Sequence, residues 1–437
     1  MKPPTLFFAL TTTLAFSEPC RIEVTDRENG WPVPLVELRT TNNQRFVTDN
    51  AGIIAFDDPD SMGRLTWFDL IGHGYEVKKD GFGMAGVKLT PEPGKTLTLQ
   101  VTRSLPGKRL GRLTGSGLFS ESKKLGLHLD VKDSGLMGSD SVQNAVYQGK
   151  LFWAWGDTNM PGYPLGIFHM TSATTPLKPL RSFEPPLKLQ LDYFTDDKGA
   201  PRGVAKMPGE GPTWVSGYVA LPDKTGKERL VGMYVKVKGF LDVYEAGLCV
   251  WDEQKLEFEH LLTHWKKSPS APNKPLMPDG HPVIHDGWVW FGNPLPEMRC
   301  KATFEAWQDP SQWEPVTKQA EIDDITPHSG SVAWNAWRKK WVTIFLQHSK
   351  KPGQLGEIWY AESPQLTGPW ANAIKVVTHD NYTFYNPRIH PELTAPDSPL
   401  LLFEGTYTIL FANKPAPTPR YEYNQILYRL DLDQMLK

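Results

Sequence analysis

Asp140 and Asp157 stand at the two open ends of one hairpin pattern. Val142, Asn144 and Val146 alternate with their neighbours, Gln148-Gly149 supplies a two-residue turn, and Leu151, Trp153 and Trp155 alternate on the return. With that turn, Tyr147 falls opposite Lys150 and, counting outward, Asp140 falls opposite Asp157. In a tight antiparallel pair this sets their Cα atoms roughly 4.5–5.5 Å apart. Like charges at that separation need compensation, so the pair shares a proton, holds a cation or flanks a substrate.

The chain around this hairpin has 437 residues with 16 Trp and 39 Pro, and helix-period segments are scarce, which points to an all-β protein rich in turns. A formal charge of −2 with scattered Lys and Arg removes the electrostatic case for nucleic acid as partner. Residues 1–17, with Lys2, an apolar core around Leu6-Phe-Phe-Ala-Leu and small residues before a cut after Ser17, read as a secretory signal peptide. No other apolar run is long enough to span a membrane. The expected location is therefore secreted or periplasmic. Cys20, Cys249 and Cys300 are too few and too far apart for a disulfide framework or a zinc site, leaving either one disulfide or buried free thiols.

Residues 18–104 show short alternating strands around Ile22-Glu-Val, Leu35-Val-Glu-Leu, Phe46-Val-Thr, Ile53-Ile-Ala-Phe and Leu97-Thr-Leu-Gln-Val, divided by turn signals such as Glu28-Asn29-Gly30. The stretch "NGWPVPLVEL…RFVTDNAGIIAF" resembles the transthyretin-like or carboxypeptidase-regulatory β-sandwich, an accessory module. Residues 105–126, rich in Gly, Ser, Lys and Arg, read as an exposed link. From 127 to 437 five hairpin-like units recur, with turns near Gln148-Gly149, Asp223 to Lys227, Asp286-Gly287, Arg338 to Lys340 and Ala395 to Ser398. That spacing suits the four-stranded blades of a five-bladed β-propeller, with six blades as the alternative.

The entries to these units carry Glu210 and Thr213 with Trp214, His281, His328, and Asn386, Arg388 and His390, beside Asp140 and Asp157 in the first. A narrow channel would collect them on one rim. Trp155, Trp153, Trp214 and Tyr385 offer aromatic faces for stacking, and Arg388 and Arg420 suit a hydroxyl-rich or anionic ligand. The "G-x-D … G-D-T" pair, "PHSGSVAWN", "GEIWYAESPQLTGPW" and "FYNPRIHPEL" make residues 127–437 similar to five-bladed glycoside hydrolases. The nearest resemblance is to secreted endo-D-arabinanases, and a more distant one is to glycoside hydrolase family 43. It implies Asp140 and Asp157 as the catalytic pair.

Such hydrolysis needs one protonated carboxyl to assist the leaving oxygen and one carboxylate as nucleophile or water activator. If the two aspartates are too close to divide these roles, the acid falls to Glu210 or Glu357. The expected ligand is a polysaccharide or oligosaccharide, with no cofactor required. Two other readings stay open. One is a non-catalytic carbohydrate-binding propeller whose rim carboxylates hold calcium. The other is a polysaccharide lyase with His328 or His390 as base and Arg388 on a uronate.

Overall fold

The computed structural model describes residues 18–179, 183–348, 355–412 and 416–436; the leader expected at 1–17 lies outside them. The chain is all-β. No helix among the described residues is long and apolar enough to cross a membrane. Cys20, Cys249 and Cys300 are all free and buried, which selects the free-thiol alternative.

Two four-stranded sheets open the chain. One orders Ile53–Phe56, Cys20–Asp26, Thr96–Arg103 and Tyr75–Glu76, and the other Arg45–Val47, Glu37–Thr40, Thr66–Ile71 and Gly86–Leu89. Alternation along Cys20–Asp26 sends Ile22 and Val24 into a core that they share with Leu38, Ile54, Phe68 and Val101.

Five more four-stranded antiparallel sheets follow. The first holds Val142–Tyr147, Lys150–Trp155, Thr171–Pro176 and Asp192–Tyr193, and the second Thr213–Pro222, Glu228–Lys238, Asp242–Asp252 and Glu257–Lys266. The third holds Val283–His285, Trp288–Gly292, Pro296–Lys301 and Glu314–Pro315, and the fourth Pro327–Asn335, Lys340–Gln347, Ile358–Ser363 and Ala371–Val377. The fifth is built from Thr383–Ile389, Leu400–Thr408 and Asn424–Asp431, and is completed by Lys108–Arg112 from much earlier in the chain. Hairpin registers place turns at Gln148-Gly149, at 223–227, at Asp286-Gly287 and at 336–339.

Apolar seams join successive sheets. Phe152 and Ala154 pack with Val215 and Leu230, Val231 and Leu248 with Val289 and Met298, Leu295 with Val332 and Trp341, and Ile344 and Ile358 with Phe384 and Phe403. Leu402 and Leu427 of the fifth sheet then meet Val142 and Trp153 of the first, so the sheets close into a ring.

Residues 105–126, expected as an exposed link, are corrected by this closure. All of Lys108–Arg112 is buried and pairs antiparallel with Asn424–Asp431, and Ser120–Lys124 forms a short helix. Charged residues signalled solvent, but Lys108 and Arg109 find buried partners. Lys108 Nζ sits 2.7 Å from Asp431 Oδ2. The Arg109 guanidinium, 2% exposed, donates to Pro34 O and Gly72 O at 3.0 Å each and to the Tyr428 hydroxyl at 2.9 Å. It thus bolts the N-terminal sheets to the ring. Arg109→Met strips buried carbonyls of a charged donor and is expected to destabilise the protein by about 3 kcal/mol or more in denaturant unfolding; an unchanged midpoint would deny Arg109 this role.

Candidate functional site

The hairpin register holds beyond the strands themselves. Val142 pairs with Trp155 and Ser139 with Thr158, and between them Asp140 N donates to Asp157 O at 3.0 Å. Gly156 N reaches both Asp140 O at 3.3 Å and Ser141 O at 3.2 Å. This local irregularity turns Asp140 out of the strand's ordinary alternation. A Cβ at 156 would stand 3.2 Å from Asp140 Cβ, so a larger residue there would press on the aspartate's stem.

The first strands of the second, fourth and fifth sheets also break register near their entry ends. The breaks fall between Ser216 and Val219, between Pro327 and Gly330, and between Tyr385 and Arg388. Bulges of this kind re-aim side chains. Here Asn386 Nδ2 donates to Ser141 Oγ at 2.6 Å, and Asn386 N donates to Ser329 Oγ at 3.2 Å, linking three sheets around one floor.

The two aspartates occupy different environments. Asp140 Oδ1 accepts from the Ser141 N–H at 2.6 Å, the Ser141 hydroxyl at 2.7 Å and the Tyr385 phenol at 2.5 Å, while Oδ2 accepts from the Tyr423 phenol at 2.8 Å. Burial and then the charge of Asp140 push both phenols upward, so they remain protonated donors. Asp157 is 7% exposed and accepts from Trp214 Nε1 at 2.9 Å. Burial raises its carboxyl to about 6, the Trp214 bond pulls against that rise, and the Asp140 charge adds to it.

Further along the same strands lies a closed polar network. Arg388, 6% exposed, donates from Nε to Asn144 Oδ1 at 2.8 Å and pairs with Glu392 at 3.4 Å. Asn144 Nδ2 meets His390 Nδ1 at 2.8 Å, and His390 Nε2 lies 2.8 Å from Glu404 Oε1. Burial holds His390 and His281 well below the usual histidine range and drives Glu404 well above the carboxylate range.

Of the residues singled out by sequence, Asp140, Asp157 and Asn386 are brought together, with Trp214 and Tyr385 beside them. Arg388, His390 and His281 are enclosed in the wall. Trp155, expected to offer a stacking face, is fully buried against Trp153, their rings parallel at 6.0 Å in the seam between the fifth and first sheets. Thr213 is likewise buried, its hydroxyl accepting from Lys236 Nζ at 3.1 Å. Neither presents a surface to a ligand. Glu210 is exposed, with its backbone carbonyl taking the Tyr244 hydroxyl at 2.8 Å, and His328 is exposed beside His348. Glu357 is tied to Lys375 at 2.7 Å and Thr378 at 2.9 Å. Tyr423, in the turn before Asn424–Asp431, and Thr406, in a strand whose sequence signals only packing, were not anticipated. Among the described residues no three His, Cys, Asp or Glu side chains are grouped to hold a metal ion. The oxygens of Asp140 face O–H and N–H donors.

No family model matches the chain, and no curated protein matches it. Among solved structures it is similar to an exo-1,5-α-L-arabinanase from a bovine ruminal metagenomic library, at 11% identity over 68% of this chain and 94% of that one, with a TM-score of 0.41. It is also similar to an exo-β-1,3-galactanase from Phanerochaete chrysosporium, at 8% identity over 67% and 60% of the two chains and a TM-score of 0.39. The Bacillus subtilis arabinanase gives 9% identity over 67% and 96%, with a TM-score of 0.37.

Because the Asp157 proton is held more tightly in the folded state, its stabilising contribution is complete below about pH 4 and is lost as pH rises through about 6. Asp157→Asn keeps the acceptor for Trp214 and removes the buried charge. At pH 7 it is expected to melt higher than the parent, by about 1–3 kcal/mol of stability, with the difference vanishing near pH 4; a variant less stable at pH 7 would contradict the assigned environment.

Proposed function

We propose that the protein is a secreted glycoside hydrolase acting on an uncharged polysaccharide or its oligosaccharides, with Asp157 as proton donor and Asp140 as the carboxylate that attacks or activates water. In this reading the N-terminal sheets are an accessory β-sandwich, the five ring sheets are propeller blades, and residues 1–17 are the export signal. The observation that carries it is the unequal pair: one buried carboxyl that keeps its proton to about pH 6 beside one that accepts from two phenols and Ser141. A buried carboxyl that holds its proton beside a carboxylate held by donors is the combination that glycosidic cleavage uses for its acid and base roles.

The acid protonates the departing glycosidic oxygen. Asp140 supplies electron density at the anomeric carbon, directly or through water, while Tyr385 and Tyr423 hold its orientation. Ser141, Asn386 and Ser329 supply small polar groups to a floor that matches sugar hydroxyls. The lyase reading is disfavoured by Arg388 and His390, which are buried in the wall beside Asn144, Glu392 and Glu404. With that guanidinium enclosed, Arg388 is not presented to a uronate or sulfate ester, which favours an uncharged sugar.

Reducing-end release from neutral, uronic and sulfated polysaccharides tests the reading. The parent is expected to cleave a neutral polymer, with kcat/KM falling as pH rises through about 6, and Asp140→Asn and Asp157→Asn each to lower it by about 10²–10⁴-fold without loss of fold. Binding without cleavage in all three proteins would make this a carbohydrate-binding propeller instead.

A further inference from the structure

We propose that Lys274 and Asp279 form a second recognition point reached along the strand face that also carries Trp214, taking a vicinal pair of hydroxyls on an uncharged sugar ring next to the one that is cleaved; this rests on the carbohydrate reading above.

The placement follows from the first strand of the second sheet. Trp214 pairs with Val235 and Ser216 with Met233 in regular register, so both side chains lie on one face, about 7 Å apart. Trp214 donates to Asp157 at 2.9 Å, and the Ser216 hydroxyl donates to Asp279. One strand face therefore spans the distance from the acid to a third carboxylate. Immediately beyond Ser216 the register breaks. Gly217 has φ +68°, its N–H donates to Gly280 O at 2.9 Å, and a Cβ there would lie 2.2 Å from Pro278 O. The bulge and the glycine together let the Pro278–Gly280 backbone press against the strand, and this close approach delivers Asp279 to the entry end.

The chemistry presented there is that of a diol receptor. Asp279 Oδ1 accepts from Gly280 N at 2.7 Å, and Oδ2 accepts from Lys274 Nζ at 3.0 Å. The side chains are 28% and 38% exposed for Lys274 and Asp279, against 7% for Arg388, so this pair is open to a ligand and the buried guanidinium is not. The ammonium retains N–H groups, and the carboxylate retains lone pairs, for adjacent hydroxyls that each donate and accept. A pair this exposed contributes little to stability. Its net charge is zero, whereas a uronate or sulfate would meet the carboxylates of Asp140, Asp157 and Asp279 together.

The test compares the parent, Asp279→Asn, Lys274→Met and Lys274→Arg by native-gel retardation on arabinan, galactan, xylan and β-glucan, with polygalacturonate and dextran sulfate as charged probes, alongside reducing-end kinetics. Asp279→Asn and Lys274→Met are expected to weaken retardation and raise KM roughly tenfold with kcat changed much less, Lys274→Arg to recover part of the loss, and melting temperatures to stay at the parental value. Parental retardation and KM in both disabling variants would overturn the assignment. Retardation of the parent by a neutral polymer that it does not cleave, lost in Asp279→Asn, would uphold the pair while removing the hydrolase reading. Absence of both retardation and cleavage in the parent, or binding only of the charged probes, would remove the pair.

Discussion

The pairing of Lys108–Arg112 with Asn424–Asp431 is the constraint on which the rest depends. Without it the fifth sheet lacks its outer strand and the seam of Leu110, Leu402 and Leu427 against Val142 and Trp153 has no closing partner. The consequence for chemistry is direct. Asp140 enters from the first sheet, whereas Tyr385, Thr406 and Tyr423 enter with the fifth or lead into its last strand, so the donors that orient this aspartate reach it only when the ring is shut. The same short strand carries Arg109, whose guanidinium binds carbonyls of the N-terminal sheets, so ring closure and docking of the first module are mechanically one event.

Within the closed ring, the difference in environment between the two aspartates arises from burial and donors, not from their spacing. Asp157 is sealed beneath Trp214 and meets one indole N–H, which offsets only part of its desolvation. Asp140 meets two phenols and Ser141. Backbone irregularities are what make this possible. Regular alternation would leave Asn386 at an ordinary strand position, and the register break between Tyr385 and Arg388 brings it to Ser141 instead. The polar wall of Asn144, Arg388, His390 and Glu404 lies behind that floor within the protein, with Asn144 hydrogen-bonded to both Arg388 and His390.

The first hairpin was readable to the residue, because alternation and a Gln-Gly turn determine register without reference to anything distant. The succession of hairpins after it was legible for the same reason. Strands Thr66–Ile71 and Gly86–Leu89 were not read; Gly86–Leu89 has no buried residue to give it an alternation, whereas Thr66–Ile71 does alternate, burying Phe68 and Leu70. Lys108–Arg112 was misread because its charges look solvated in one dimension and are paired in three. Trp155 and Trp153 alternate on one strand, and nothing local says whether such a face meets a sugar or the next sheet.

By itself, then, the sequence determined the β class, the hairpin units and the opposition of Asp140 and Asp157, all consequences of two-residue periodicity and turn chemistry acting over a few neighbours. Which residues surround those aspartates was decided only by tertiary structure. Tyr385, Tyr423, Trp214 and Asn386 are brought to them by packing five sheets into a ring, and the proton affinity of Asp157 is set by how completely that packing removes water. Desolvation and long-range contact are properties of the closed ring, and no local stretch of chain encodes them alone.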